Sequence, residues 1–189
     1  MFELLTGLGL AMPAGLNAYI PLLAVALADR YFGLINLAEP YDLISSPLGI
    51  VIIVVLLLVE MLADKVPLVD HANDLVHSVI RPSAGAVLVM ASTDAVASIN
   101  PILAMSLGLI VAGSVHTMKA SVRPTVTATT GGIGNPVISA AEDGAAIGLT
   151  VIALLAPIVV SVILILLAIA LVFLVRRRRH RRRTPAIAP

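Results

Sequence analysis

The chain has no cysteine and no tryptophan, and only 3% of its residues are aromatic. Without cysteine there is no disulfide, no zinc–thiolate centre and no thiol nucleophile. The aromatic belt that marks many membrane–water boundaries is thin. Charge is also scarce, at 12% of residues, against about 25% in an ordinary soluble domain. So little polar surface cannot cover a folded globule in water. That excludes an ordinary soluble enzyme, a disordered chain and a nucleic-acid-binding domain of the usual kind. Catalysis has no positive motif either: no Ser-His-Asp order, no H-E-x-x-H and no G-x-S-x-G occurs. Walker and Rossmann spacings are missing as well.

What is present is apolar. Hydrophobic residues make up 59% of the 189 positions, and the mean hydropathy is +1.07. The expectation is an all-α, polytopic transmembrane bundle. The net charge of +1 averages two unlike parts. Seven of the 12 Lys and Arg lie in Arg176–Arg179 and Arg181–Arg183. Residues 1–175 hold Arg30, Lys65, Arg81, Lys119 and Arg123 against all 11 acids. An uncharged run from Ile158 to Val175 precedes the arginines, which together read as a stop-transfer signal. The positive-inside rule places that block in the cytoplasm. Two parts follow: a transmembrane domain over 1–175 and a basic, disordered tail over 176–189. The tail is expected to meet anionic lipid headgroups of the bilayer rather than nucleic acid. The first residues contain Glu3 and no Lys or Arg, so they read as a retained span and not as a signal peptide.

A spanning helix needs about 20 mostly apolar residues. Candidates are Leu4–Ala28, Pro47–Ala63, a composite of Leu68–Arg81 with Pro82–Ala91, Ile102–Met118, and Gly144–Val175. The last is too long for one straight span, and Pro157 is placed to bend it. About five spans result, with four to six compatible with the pattern. Five spans with an inside tail put the N-terminus outside. A weak internal repeat accompanies them. Leu8-Gly9-Leu10 through Gly15 resembles Leu107-Gly108-Leu109 through Gly113, and Gly33–Asn36 resembles Gly132–Asn135. An odd number of spans between equivalent positions would invert the second half, a layout common among secondary transporters.

Three segments hold the polar chemistry. Asp70, Asp74, His77 and Arg81 fall at i, i+4, i+7 and i+11, one stripe of a helix otherwise apolar. That stripe either lies in water at the membrane interface or faces a cavity inside the bundle, where carboxylates and His can relay protons or hold a cation. His116, Lys119 and Arg123 form a second, cationic stripe at the end of the fourth span. They either snorkel to headgroups or contact anionic groups, of which Asp70 and Asp74 are the nearest in kind. Opposite stripes on one side of a membrane should pair. Glu60 and Asp64 end the second span, and Glu60 can meet Lys65 or Arg81. The Thr125–Pro136 segment reads as a loop or as irregular backbone bordering a cavity. Ser139-x-x-Glu142 reads as a capping box opening the last helix, with Asp143 beside it at the positive dipole end.

The chain resembles an uncharacterised bacterial integral-membrane family known as domain of unknown function 4126. The resemblance lies in Ala14–Leu22, in Glu60 with Ala63-Asp64-Lys65-x-Pro67-x-x-Asp70, and in Asp74-x-x-His77-x-x-Ile80-Arg81-Pro82. It continues in His116-x-x-Lys119-Ala120-x-x-Arg123, and in Asn135 with Ser139 and Glu142-Asp143. It implies a multi-pass inner-membrane protein and assigns no activity. The function expected from the residues is a small transporter or channel for a polar or ionic solute or a lipid headgroup. Asp70, Asp74, His77, Arg81, His116, Lys119 and Arg123 would form its pathway. Glu60, Asp64, Lys65, Glu142 and Asp143 would serve as pairing or gating partners. Two other classes stay open. One is an intramembrane lipid-active or metal-dependent enzyme using Asp70, Asp74 and His77. The other is an accessory subunit whose charges only hold helices together. The sequence does not specify a cofactor or metal, and a chain this short is expected to form a homo-oligomer.

Overall fold

The computed structural model describes residues 2–37, 39–64, 67–92 and 100–159, with 162, 163, 165, 166, 169 and 173 beyond them. For residues 2 and 67–72 it describes the backbone alone. Lys65, residues 93–99 with Asp94, and the arginine tail lie outside the described residues, as does the side chain of Asp70.

The described chain is helical, with no strand. The helices are α1 (Phe2–Ala14), α2 (Tyr19–Leu27), α3 (Pro47–Ala63), α4 (Pro67–Ala91), α5 (Pro101–Thr130) and α6 (Asn135–Leu155). A π-helical turn, Ala28–Phe32, and a 3₁₀ turn, Tyr41–Ser45, lie between α2 and α3. Of these helices, α5 and α6 are long and apolar enough to cross a membrane, and α3 is a shorter apolar helix.

Local chemistry sets the boundaries. Ser46 caps α3 by accepting from the Gly49 amide, with Pro47 at the first helical position. Asn100 and Pro101 do the same for α5. The composite third candidate is one helix, α4, which runs through Pro82.

Several expectations are corrected. Residues 4–28 are not one span: the chain breaks between α1 and α2, and Asn17 accepts from the Tyr19 and Ile20 amides to start α2. The fourth span does not end at Met118, because α5 continues through Pro124 to Thr130. The Thr-rich segment was expected to be loop or irregular backbone, yet its hydroxyls donate back to carbonyls four residues earlier. Thr127 bonds Arg123, Thr129 bonds Thr125 and Thr130 bonds Val126 at 2.7–3.0 Å, so the side chains are satisfied within the helix. Gly131, at φ 60°, provides the left-handed stop. Ser139 and Glu142 form no capping box, since α6 begins four residues earlier at Asn135 and Ser139 is fully buried inside it. The segments paired by the weak repeat also differ in shape, one broken at Asn17 and the other unbroken past Gly113. The bend expected at Pro157 is present: α6 stops at Leu155, and Ala156 leaves helical geometry.

Three helices share one design. The buried stripe of α4 runs His77, Arg81, Ala84, Leu88, Ala91. That of α5 runs Ala104, Gly108, Ala112, His116, Lys119, Arg123. That of α6 runs Asn135, Ser139, Asp143, Ala146, Thr150, Ala153. In each, one end is polar and the other small or apolar. The small ends allow close crossing: a Cβ on Gly108 would collide with the Gly85 carbonyl and lie 2.8 Å from Ala86 Cα. The polar ends then meet at one end of the bundle. Outside, α3 exposes Leu48, Val51, Ile52, Val55, Leu58, Val59 and Leu62.

Gly108→Ala should therefore lower stability by about 1–3 kcal/mol, the usual cost of overpacking a rigid contact. Gly144→Ala, whose Cβ would meet nothing within 4 Å, should be neutral or stabilising by up to about 1 kcal/mol through helix propensity. Denaturation of the purified protein checks both.

Candidate functional site

Glu60 and Asp64 sit one turn apart at the end of α3. Asp74, His77 and Arg81 come from α4, and His116, Lys119 and Arg123 from α5. Glu142 and Asp143 come from α6. The structure brings these side chains into one cluster, with Asp143 held at its side by Asn17, although the acids, the cations and the histidines lie on four separate helices.

Arg81 is the innermost cation, with no exposed surface. Its Nε and Nη2 donate to Glu60 Oε1 at 3.3 and 2.9 Å. Its Nη1 donates to His116 Nδ1 at 3.1 Å. A guanidinium only donates, so His116 Nδ1 carries the lone pair, and the neutral ring has its proton on Nε2. Arg81 Nη2 also lies 3.8 Å from Asp64, and Nη1 3.7 Å from Asp74.

Asp64 is the junction. Its Oδ2 faces Arg123 at 3.1 Å, Lys119 at 3.4 Å and Arg81 at 3.8 Å. Its Oδ1 accepts from the Asn73 amide at 2.7 Å. Lys119 fills its other donors with the Leu16 carbonyl at 3.0 Å and Glu142 at 2.9 Å. Arg123 reaches Glu142 at 3.0 Å and Asp74 at 3.6 Å. Lys119 and Arg123 are buried, so they do not snorkel to a surface. Charged groups withdrawn from water are held only if paired, and among the described residues each of these three cations is.

The cluster has an open side. Glu60 and Arg81 are sealed, whereas the side chains of Glu142 and Asp74 keep 14% and 19% of their surface. Beside Glu142 a cavity of about 310 Å³ opens between α1, α5 and α6. Its walls include Met12, Leu16, Val115, Met118 and Val122, and its charged lining is Lys119 and Glu142. Polarity thus deepens from a greasy groove to a sealed arginine.

Some members went unread as site residues in the sequence. Asn17 is buried in the break between α1 and α2 and donates to Asp143 Oδ1 at 3.0 Å. Asn73 orients Asp64. Thr127 and Asn135, 3.1 Å apart, tie the end of α5 to the start of α6. A lone Asn inside an apolar run is the signal that points to Asn17. Asn73 had no such signal, because its partner Asp64 lies on another helix. Glu60 pairs with Arg81, one of its two expected partners. No three of the described His, Asp and Glu side chains are arranged to hold a metal ion.

Arg81→Met should cost about 3–5 kcal/mol by leaving Glu60 buried and uncompensated. Glu60→Leu combined with Arg81→Met should recover much of that loss. Denaturation midpoints of the single and double variants test this, and equal losses in both would contradict the pairing.

A search of the curated proteins and of the solved structures finds no match to this chain. The family model described as Domain of unknown function (DUF4126) matches residues 4–177, and the chain belongs to that family.

Proposed function

We propose that the chain is a small multi-pass inner-membrane transporter or channel for a polar or ionic solute, and that the charged cluster is its pathway. The carrying observation is the inverted distribution of polarity. Eight Asp, Glu, His, Lys and Arg side chains, Glu60, Asp64, His77, Arg81, His116, Lys119, Arg123 and Asp143, are buried, while most of the α3 leucines, valines and isoleucines face outward. Water favours the opposite arrangement. A bilayer favours this one, because lipid tails accept apolar side chains and ionisable groups gather inside, along a path.

In this reading α3, α4, α5, α6 and the broken α1–α2 pair cross or enter the membrane. A helix of 30 residues is about 45 Å long, so α5 overreaches a hydrocarbon core of about 30 Å. Its Thr-rich end then borders water or the cavity. The seven arginines anchor the C-terminus on the cytoplasmic side among anionic headgroups. A second copy of the chain would help enclose the open groove.

A second reading is supported by the pairing itself. Lys119 and Arg123 are so fully engaged that the cluster can serve as a clasp between helices in an accessory subunit.

Reconstituted protein in vesicles separates the two. Under transport, Asp74→Asn and Arg123→Ala each reduce ion or solute flux by about tenfold or more, equivalent to about 1.4 kcal/mol on the barrier, while the protein stays folded. Unchanged flux in both variants overturns the transport reading. Under the clasp reading, Lys119→Glu lowers thermal stability, and adding Glu142→Lys restores it.

A further inference from the structure

His77 and Glu60 meet in a geometry that an ordinary neutral imidazole and ionised carboxylate do not satisfy. His77 Nδ1 is 2.8 Å from the Asn73 carbonyl oxygen. A carbonyl oxygen only accepts, so Nδ1 carries hydrogen. The other ring nitrogen, Nε2, then carries a lone pair and lies 3.3 Å from Glu60 Oε1 without being aligned for a hydrogen bond. Two lone pairs in a sealed interior repel. Both residues are at least nine-tenths buried, and among the described residues neither His77 Nε2 nor Glu60 Oε2 has a hydrogen-bond partner.

We propose that His77 and Glu60 form a binding site for one transported or coupling proton, taken up at the unpartnered Nε2 beside the Glu60 carboxylate. This rests on the transport reading and gives the pathway its ion. A proton arriving from the open side bonds to Nε2, and the imidazolium then forms an ion pair with the Glu60 carboxylate. Departure of the proton returns the neutral ring, and no other bond changes.

The surroundings suit such a site. From α3, Asp64 adds negative charge one turn from Glu60. Arg81 on α4 holds Oε1 in place, and Asp74 on the same helix lies toward the open side. Across the interface, α5 presents neutral His116, which accepts from Arg81, and Lys119, which is engaged by Asp64 and Glu142. The Tyr19 ring of α2 stands edge-on to His77, centroids 6.0 Å apart, and keeps the ring from turning. Among the described ion pairs four carboxylates face three cations, Glu142 and Arg123 included. Within that described set the carboxylates outnumber the cations by one, and a bound proton balances them. The two histidines divide the work: His116 is fixed neutral by a donor-only partner, and His77 is left to titrate.

Nitrogen NMR of the imidazoles in the full chain, in lipid nanodiscs between about pH 5 and 8, tests this in the range where histidines titrate. The chain has four histidines, so His71→Gln and His180→Gln leave two signals to assign. The expected result is a doubly protonated His77 that loses one proton as pH rises, beside a His116 that is neutral with hydrogen on Nε2 throughout. In Glu60→Gln the amide can donate to Nε2, so His77 should be neutral with hydrogen on Nδ1 across the range. The His116 signal reports whether that variant keeps its structure. If it does not, Glu60→Asp replaces it, and His77 should lose its proton at lower pH than in the native chain. A native His77 that is neutral at every pH, or carries its single hydrogen on Nε2, overturns the proposal. Titration of His77 in a protein that moves no ion in vesicles supports the proton site and contradicts the transport reading alone. Transport with His77 always neutral does the reverse.

Discussion

Asp64 receives Arg81, Lys119 and Arg123 on one oxygen, and the rest of the molecule is arranged so that those three cations can reach it. Each comes at the end of an otherwise small or apolar stripe. Bringing one of them into a dry interior without a partner would cost several kcal/mol, more than any single apolar contact in the bundle returns. The pairing therefore decides how the helices dock. Helix α3 supplies two carboxylates one turn apart, and α4 and α5 must bring their cations to that level. Glu142 on α6 closes the outer edge.

Packing follows from the same demand. The Gly85–Gly108 crossing lets α4 and α5 approach closely at the apolar end, which sets where Arg81 and His116 meet lower down. The break at Asn17 frees the Leu16 carbonyl from helical duty, and Lys119 uses it. Asn17 then spends its own side chain twice, accepting from two amides of α2 and donating to Asp143. A continuous α1–α2 helix would have neither the carbonyl nor the cap. Local irregularity and charge burial are in this way one feature of the fold.

Much of this was legible in the sequence, and the reasons it was legible are physical. Helical spacing put His77 with Arg81, and His116 with Lys119 and Arg123, on common faces. Opposite sign together with the cost of burial predicted that the faces meet, and Asp74 lies 3.6 Å from Arg123. Composition alone indicated an all-helical chain. The failures are equally instructive. Residues 125–130 read as loop or irregular backbone, but hydroxyl bonds to earlier carbonyls let Thr127, Thr129 and Thr130 satisfy themselves within α5. Ser139-x-x-Glu142 has the spacing of a cap, yet buried cations on α5 claimed Glu142. Asn73 and Leu16 could not be read, since their roles depend on which helix lies opposite, and spacing within one helix carries no such information.

The central claim is that oppositely charged groups distant in the chain share one low-dielectric interior. A double-mutant cycle on Asp64→Asn and Arg123→Gln measures that directly, by the stability of the native chain, each single variant and the pair. The account predicts a coupling of about 1–3 kcal/mol, the range for buried groups within one network. Losses that simply add would mean that the two side chains do not feel each other, and the cluster as described would be wrong.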